Sequence, residues 1–281
     1  MVLASTLFAL MNITVRLGAA RVSWAEVASV RAAMGALVAI AIARGRGAPL
    51  AIHDRRLSWA RSLCGTLAMI CSFYAMGAPA IALGDAVTLN ATSPIFVALL
   101  APALLGERSG PEVWGATTVA FVGVALVAGP GFHLEGRLAA IAILGGFFSA
   151  MAMIWLRKLG AGARKESPEA VVVHFSTVAA VVTAVIALPT LKVPGPAGIA
   201  LLAATGVLGG LAQIAMTRAY ALERAARLGV IGTLGVVLAH LFGAVLLGER
   251  PRPPALLGAA LILSAAIALA TSAVRRARAR A

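Results

Sequence analysis

Few side chains in this sequence can do chemistry in an apolar setting, and Arg31 stands first among them. It closes the stretch VSWAEVASVR, inside an otherwise apolar run. A charged Arg at the centre of a hydrocarbon layer costs about 2.5–3.5 kcal/mol, so something must offset it. A guanidinium holds a carboxylate through two parallel hydrogen bonds, which makes Arg31 a candidate anchor for an anionic substrate. The alternatives are an ion pair, with Glu26 the nearest acid in sequence, or a side chain reaching to the membrane surface. His174 occupies the corresponding place in the second half of the chain. It can contact substrate or carry a proton near neutral pH, or it can be a neutral ring bonded to a backbone carbonyl.

Asp85 is a second candidate for proton coupling, set against an ordinary acid in a helix first turn. Asn90 and Ser93 flank Pro94, whose ring removes one backbone hydrogen bond and kinks its helix. Together they form a polar notch, unless Ser93 and Thr92 only satisfy the freed backbone. Asn12, Gln213 and His240 can contact a neutral polar ligand or bond one helix to another. Tyr74 and Tyr220 can stack on a ligand or anchor helix ends at the interface. No GxxxxGK[ST] loop, HExxH or CxxC pair occurs, and His53, His133, His174 and His240 are scattered. No nucleotide-driven step, metal or other cofactor is therefore expected. Cys64 and Cys71, seven positions apart on one expected helix, lie too far apart for a disulfide.

The elements that position these residues follow from composition. The chain is 61% hydrophobic and 12% charged, with mean hydropathy +0.96, against about 25% charged for soluble domains. Runs long enough to span a bilayer cover 1–18, 24–43, 59–78, 84–104, 112–129, 138–156, 169–189, 197–217, 229–247 and 254–273. They are continuous and rich in Ala, Leu and Gly, unlike the alternating strands of a barrel. The first run has no basic segment ahead of it, so it reads as a helix rather than a cleaved leader, with a longer native start left open. The net charge of +14 does not call for nucleic acid. With both termini cytoplasmic, Lys and Arg favour the inner links by about three to one, which is the positive-inside pattern. Arg61 is counted there with the inner links.

The chain also reads as written twice. ALLGER ends at Arg108 and VLLGER at Arg250. NITVRLGA echoes MIWLRKLGA, pairing Arg16 with Arg157. Arg31 pairs with His174 and Tyr74 with Tyr220, at a nearly constant offset. Each half holds five runs, so the second enters the membrane from the opposite side. Inverted repeats of this kind recur in secondary transporters. Gly106 and Gly248 suit left-handed helix ends. Glu107 with Arg108, and Glu249 with Arg250, form helix-end pairs or parts of a gate.

FYAMGAPAIALGDAVTLNATSPIFVALLAPALLGER and AYALERAARLGVIGTLGVVLAHLFGAVLLGER each resemble the end of an EamA repeat, a Tyr-Ala pair followed by a helix and a closing LGE. The second is shorter and has no proline matching Pro94. The resemblance covers nearly the whole chain and implies the drug/metabolite transporter superfamily. The expected fold is an all-α polytopic membrane protein with ten transmembrane helices in two inverted five-helix repeats. These are 1–130 and 138–273, with a basic cytoplasmic tail at 274–281. The expected function is secondary, ATP-independent transport of small organic metabolites by alternating access about a central site. Export or exchange follows from the resemblance. An intramembrane enzyme acting on a lipid-linked substrate is the alternative. Expected partners are a small-molecule substrate and membrane lipid, not nucleic acid, for a monomer or homodimer in a bacterial inner membrane.

Overall fold

The structure, a computed structural model, describes residues 1–78, 83–106, 110–128, 136–161, 166–247 and 253–278. All regular elements among them are helical. In order these are α1 (Val2–Ala19), α2 (Trp24–Arg46), α3 (Arg55–Gly77), α4 (Leu83–Asn90), α5 (Ser93–Leu105), α6 (Pro111–Ala128), α7 (Gly136–Ala161), α8 (Pro168–Ala187), α9 (Pro196–Leu222), α10 (Ala225–Gly232), α11 (Leu234–Leu247) and α12 (Pro253–Arg278).

The ends are written locally. Ser23 and Glu26 form a reciprocal capping box at the start of α2, and Asp54 and Ser167 cap α3 and α8. Each satisfies backbone N–H groups that the first turn leaves open. Gly106 ends α5 at φ +67°, where a side chain would be strained.

Six segments are long and apolar enough to cross a membrane: Val2–Ala19, Trp24–Arg46, Ala140–Gly160, Pro168–Thr190, Pro196–Leu222 and Ala225–Leu246. Shorter apolar helices cover Ser93–Leu105, Pro111–Leu126 and Leu256–Ala265. The protein is thus an all-helical polytopic membrane protein, but its helices are less uniform than ten equal spans. Two expected spans are broken. One divides at Ala91–Thr92, with Pro94 in the first turn of α5. The other divides at Thr233, whose Oγ1 donates back to Val230 O at 2.6 Å.

The expected span 59–78 forms a continuous helix, α3, that is not apolar throughout. Its exposed face carries Trp59, Leu63 and Leu67 at helical spacing, while Ser58, Arg61, Ser62 and Thr66 are buried. A membrane reverses the usual amphipathic arrangement, so the apolar stripe meets lipid and the polar face turns inward.

Packing is mostly between the halves. α2 lies against α8, α3 against α7, α1 against α9, and α6 against α12. Two acids cross the same boundary. Glu26 Oε1 accepts from Lys192 N at 2.7 Å, in the link before α9. Glu166 Oε1 accepts from His53 N at 2.8 Å and Asp54 N at 2.7 Å, in the link before α3. Within each half, Arg16 donates to Met76 O at 3.1 Å, and Arg157 to Tyr220 O at 3.3 Å and Ala221 O at 3.2 Å. Both arginines therefore satisfy the terminal carbonyls of the helix two places on. Glu166 is buried, so Glu166→Ala strips two backbone donors of a charged acceptor. Thermal unfolding is expected to show a loss of about 1–3 kcal/mol; an unchanged midpoint would refute a role for this crossing in stability.

Candidate functional site

A cavity of about 250 Å³ lies where the two broken spans meet. Its wall draws on α1, α3, α7 and α9 and on both breaks. Gly229 of α10 lies against Pro94 of α5, where an added Cβ would be 3.4 Å from Pro94 Cα. Helix interruptions at membrane depth are tolerated where the freed backbone faces protein or a cavity.

Of the residues that the sequence singles out, the cavity gathers Asn12, Arg31, Asn90, Ser93, Gln213 and Tyr220. Tyr220, expected as a ligand contact or an interface anchor, is fully buried and donates to Met153 Sδ at 3.0 Å. Tyr74 lies elsewhere, edge-on to Trp24 at 5.7 Å. His174 is absent from the wall; its Nδ1 is 2.8 Å from Ser62 Oγ, and its ring stands edge-on to Trp59. His240 Nδ1 is 2.9 Å from Val236 O, one turn back in its own helix. The side chain of Asp85 and all of Glu107, Arg108, Glu249 and Arg250 lie outside the described residues.

Arg31 is 5% exposed and does not pair with Glu26, which is occupied at its cap. Its Nη2 lies 3.4 Å from Gln213 Oε1 and its Nη1 3.4 Å from Met69 Sδ. Gly209 makes the room, since a Cβ there would come within 2.8 Å of Arg31 Nε.

The decisive residue that sequence reading missed is Arg61. It sits in α3 rather than among the inner links, 2% exposed, with its guanidinium 4.0 Å from the centre of the Phe175 ring. Arg31 lies 5.7 Å from the same centre. Gly65, one turn after Arg61, leaves space for both partners, because a Cβ there would collide with Arg61 Nη1 and approach Phe175 at 2.9 Å. The signal was present in sequence: Arg61 and Gly65 are four apart, on the face opposite Leu63 and Leu67.

Among the described residues no group of His, Cys, Asp and Glu is arranged to hold a metal. The site offers cationic donors, amides and an apolar wall, an arrangement for binding.

The EamA-like transporter family model matches residues 1–129 and again 137–271. The chain belongs to that family. Relatives are likewise transporters rather than enzymes. The pseudopaline exporter CntI of Pseudomonas aeruginosa is 32% identical over 95% of this chain and 93% of its own. A riboflavin transporter of Rhizobium johnstonii is 32% identical over 73% of this chain and 67% of its own. A crystal structure 19% identical in sequence matches the fold at TM-score 0.81, over 98% of this chain and 96% of that one. This EamA protein is therefore a membrane transporter.

Proposed function

We propose that the protein is a secondary exporter or exchanger of small organic metabolites, with the cavity at the two helix breaks as its central site. The observation that carries this reading is the meeting of both breaks on one cavity that holds two buried arginines. Discontinuous helices at a repeat interface supply the polar groups of many transporter sites. The exporter relative, similar along nearly the whole chain, supports the direction.

Alternating access follows from inverted repeats at 1–130 and 138–273. The paired cross-half contacts of Glu26 and Glu166, and the matched carbonyl contacts of Arg16 and Arg157, support that inversion. If the halves exchange conformations, the cavity opens to the other face. The ten spans, the inner-membrane setting and cytoplasmic termini, with the tail 274–281 inside, belong to the same reading. Their support is the distribution of basic residues.

The test is reconstitution. A metabolite library is screened by thermal shift, since a binder stabilises the folded state by an amount that grows with the logarithm of its concentration over Kd. The best binder is then followed in counterflow across proteoliposomes. Saturable counterflow that disappears in Arg31→Ala, with the fold intact, is the expected result. Flux no greater than that of empty vesicles would end the proposal. Protease-accessible tags at both termini on the outer face of intact cells would overturn the orientation.

A further inference from the structure

Among the unmade hydrogen bonds on the wall of this cavity, four nitrogen donors stand against two oxygens, Ser5 Oγ and Asn90 Oδ1. Arg31 leaves Nε without a partner, Arg61 leaves Nε and Nη1, and Gln213 leaves Nε2. All are buried and belong to residues that line the cavity. Gln213 has its acceptor oxygen turned to Arg31, so its amide nitrogen is the end left open. Buried donors without partners are costly, and buried cations more so.

Among the described residues, neither guanidinium has a carboxylate within ion-pair distance. The ion pairs among the described residues join His53 to Glu166, Arg218 to Glu169, and Arg227 to Glu112 and Glu223. None involves Arg31 or Arg61. The two cations instead share the Phe175 ring, at 5.7 and 4.0 Å from its centre, which partly offsets their burial. Their separation is at most those two distances laid end to end, a span that one small molecule bridges. Two like charges at that range repel, and an occupant with two negative charges removes both the repulsion and the open donors at once.

The rest of the wall has a different character. Six of the eight methionines line it: Met1, Met11, Met69, Met76, Met153 and Met216. Methionine is unbranched and polarisable, and it moulds to apolar groups of varied shape.

We infer that the cargo is a small organic acid with two carboxylates on a largely apolar frame. One carboxylate takes Arg31 and Gln213, the second takes Arg61, and the frame lies against the methionines. This rests on the transport reading above and names its substrate class.

The test uses the purified full chain and a matched probe series: glutarate, adipate, suberate and isophthalate, each against its own diamide, with phenyl phosphate as a separate arm. Binding is read by thermal shift. At least one dicarboxylate is expected to bind about tenfold or more tightly than its diamide, the scale of a charge-assisted hydrogen-bonded contact. That preference is expected to collapse in Arg31→Gln and in Arg61→Gln. Arg61→Lys, which keeps the charge but loses the fork, is expected to fall between.

The proposal is overturned if every dicarboxylate matches its diamide, or if the preference survives in the Arg31→Gln, Arg61→Gln double variant. Tighter binding of phenyl phosphate than of any dicarboxylate would overturn the carboxylate assignment and put a phosphate ester in its place. Should the variants fail to fold, the ligand series on the unaltered protein decides alone. Binding in the expected order without flux in proteoliposomes would sink the transport reading and leave the dianion site. Flux of an uncharged solute that no dicarboxylate competes for would do the reverse.

Discussion

Arg61→Met is expected to make the protein harder to melt and unable to move its cargo. The two effects have opposite signs because they act on different states. Arg61 is 2% exposed, has no carboxylate partner among the described residues, and leaves two nitrogens unbonded. Its compensation is the face of Phe175 at 4.0 Å. A desolvated cation–π contact contributes about 2 kcal/mol. Taking a guanidinium out of water without a carboxylate partner costs several kcal/mol, before open donors are counted. Methionine has comparable length and no desolvation cost, and Gly65 leaves room beside it. Thermal unfolding followed by tryptophan fluorescence should therefore rise by several degrees, while counterflow falls to background. A lower midpoint for Arg61→Met would make Arg61 a structural residue, and the stacked pair would then be an element of packing.

The second large effect is on the fold. Gly206 of α9 faces Met34 of α2, and a Cβ at Gly206 would collide with the Met34 Cβ and lie 2.7 Å from its Cγ. The obstacle is a Cβ fixed to backbone, so no rotamer change relieves it. Gly206→Ala must push the two helices apart, at a cost of roughly 1–3 kcal/mol for overpacking, which outweighs the gain of about 1 kcal/mol from better helix propensity. Gly115 of α6 is the control, since nothing lies within 4 Å of a Cβ placed there. Gly206→Ala is expected to lower the unfolding midpoint and the yield of monodisperse protein, while Gly115→Ala, which meets no obstacle, keeps the yield and holds or raises the midpoint. Equal behaviour of the two would show that the α2–α9 contact is looser than its geometry implies.

How much of this was legible in the sequence depends on the range of the interaction. Helix ends were legible, because Gly106 acts through its own backbone geometry, and the capping box joins residues three apart. The first helix break was legible from Pro94, since a ring without an N–H announces itself. The second was not. Thr233 breaks its helix through a hydrogen bond to Val230, with Gly232 and Gly235 on either side, and such a turn has no unique residue signature. Arg31, Asn90 and Gln213 could be picked out as polar residues in apolar runs, and the structure brings them to one cavity. Arg61 is overlooked in that way, because charge near the start of a span reads first as a topology signal, and only its spacing to Gly65, opposite Leu63 and Leu67, points inward. The contact that gives it meaning, Phe175, lies far along the chain, and only packing of α3 beside α8 creates it.

That distance sets an order of events during synthesis. When α3 leaves the ribosome, Arg61 has neither the aromatic ring that covers it nor α7 beside it. On its own α3 is a poor substrate for the lipid phase, and it falls outside the helices apolar enough to cross. It must wait at a protected place in the insertion machinery, or stay hydrated, until α7 and α8 have been made. The proposed binding site is thus also the seam at which the newborn chain is least finished. The buried polar face of α3 obliges the nascent chain to postpone its first half until the second arrives.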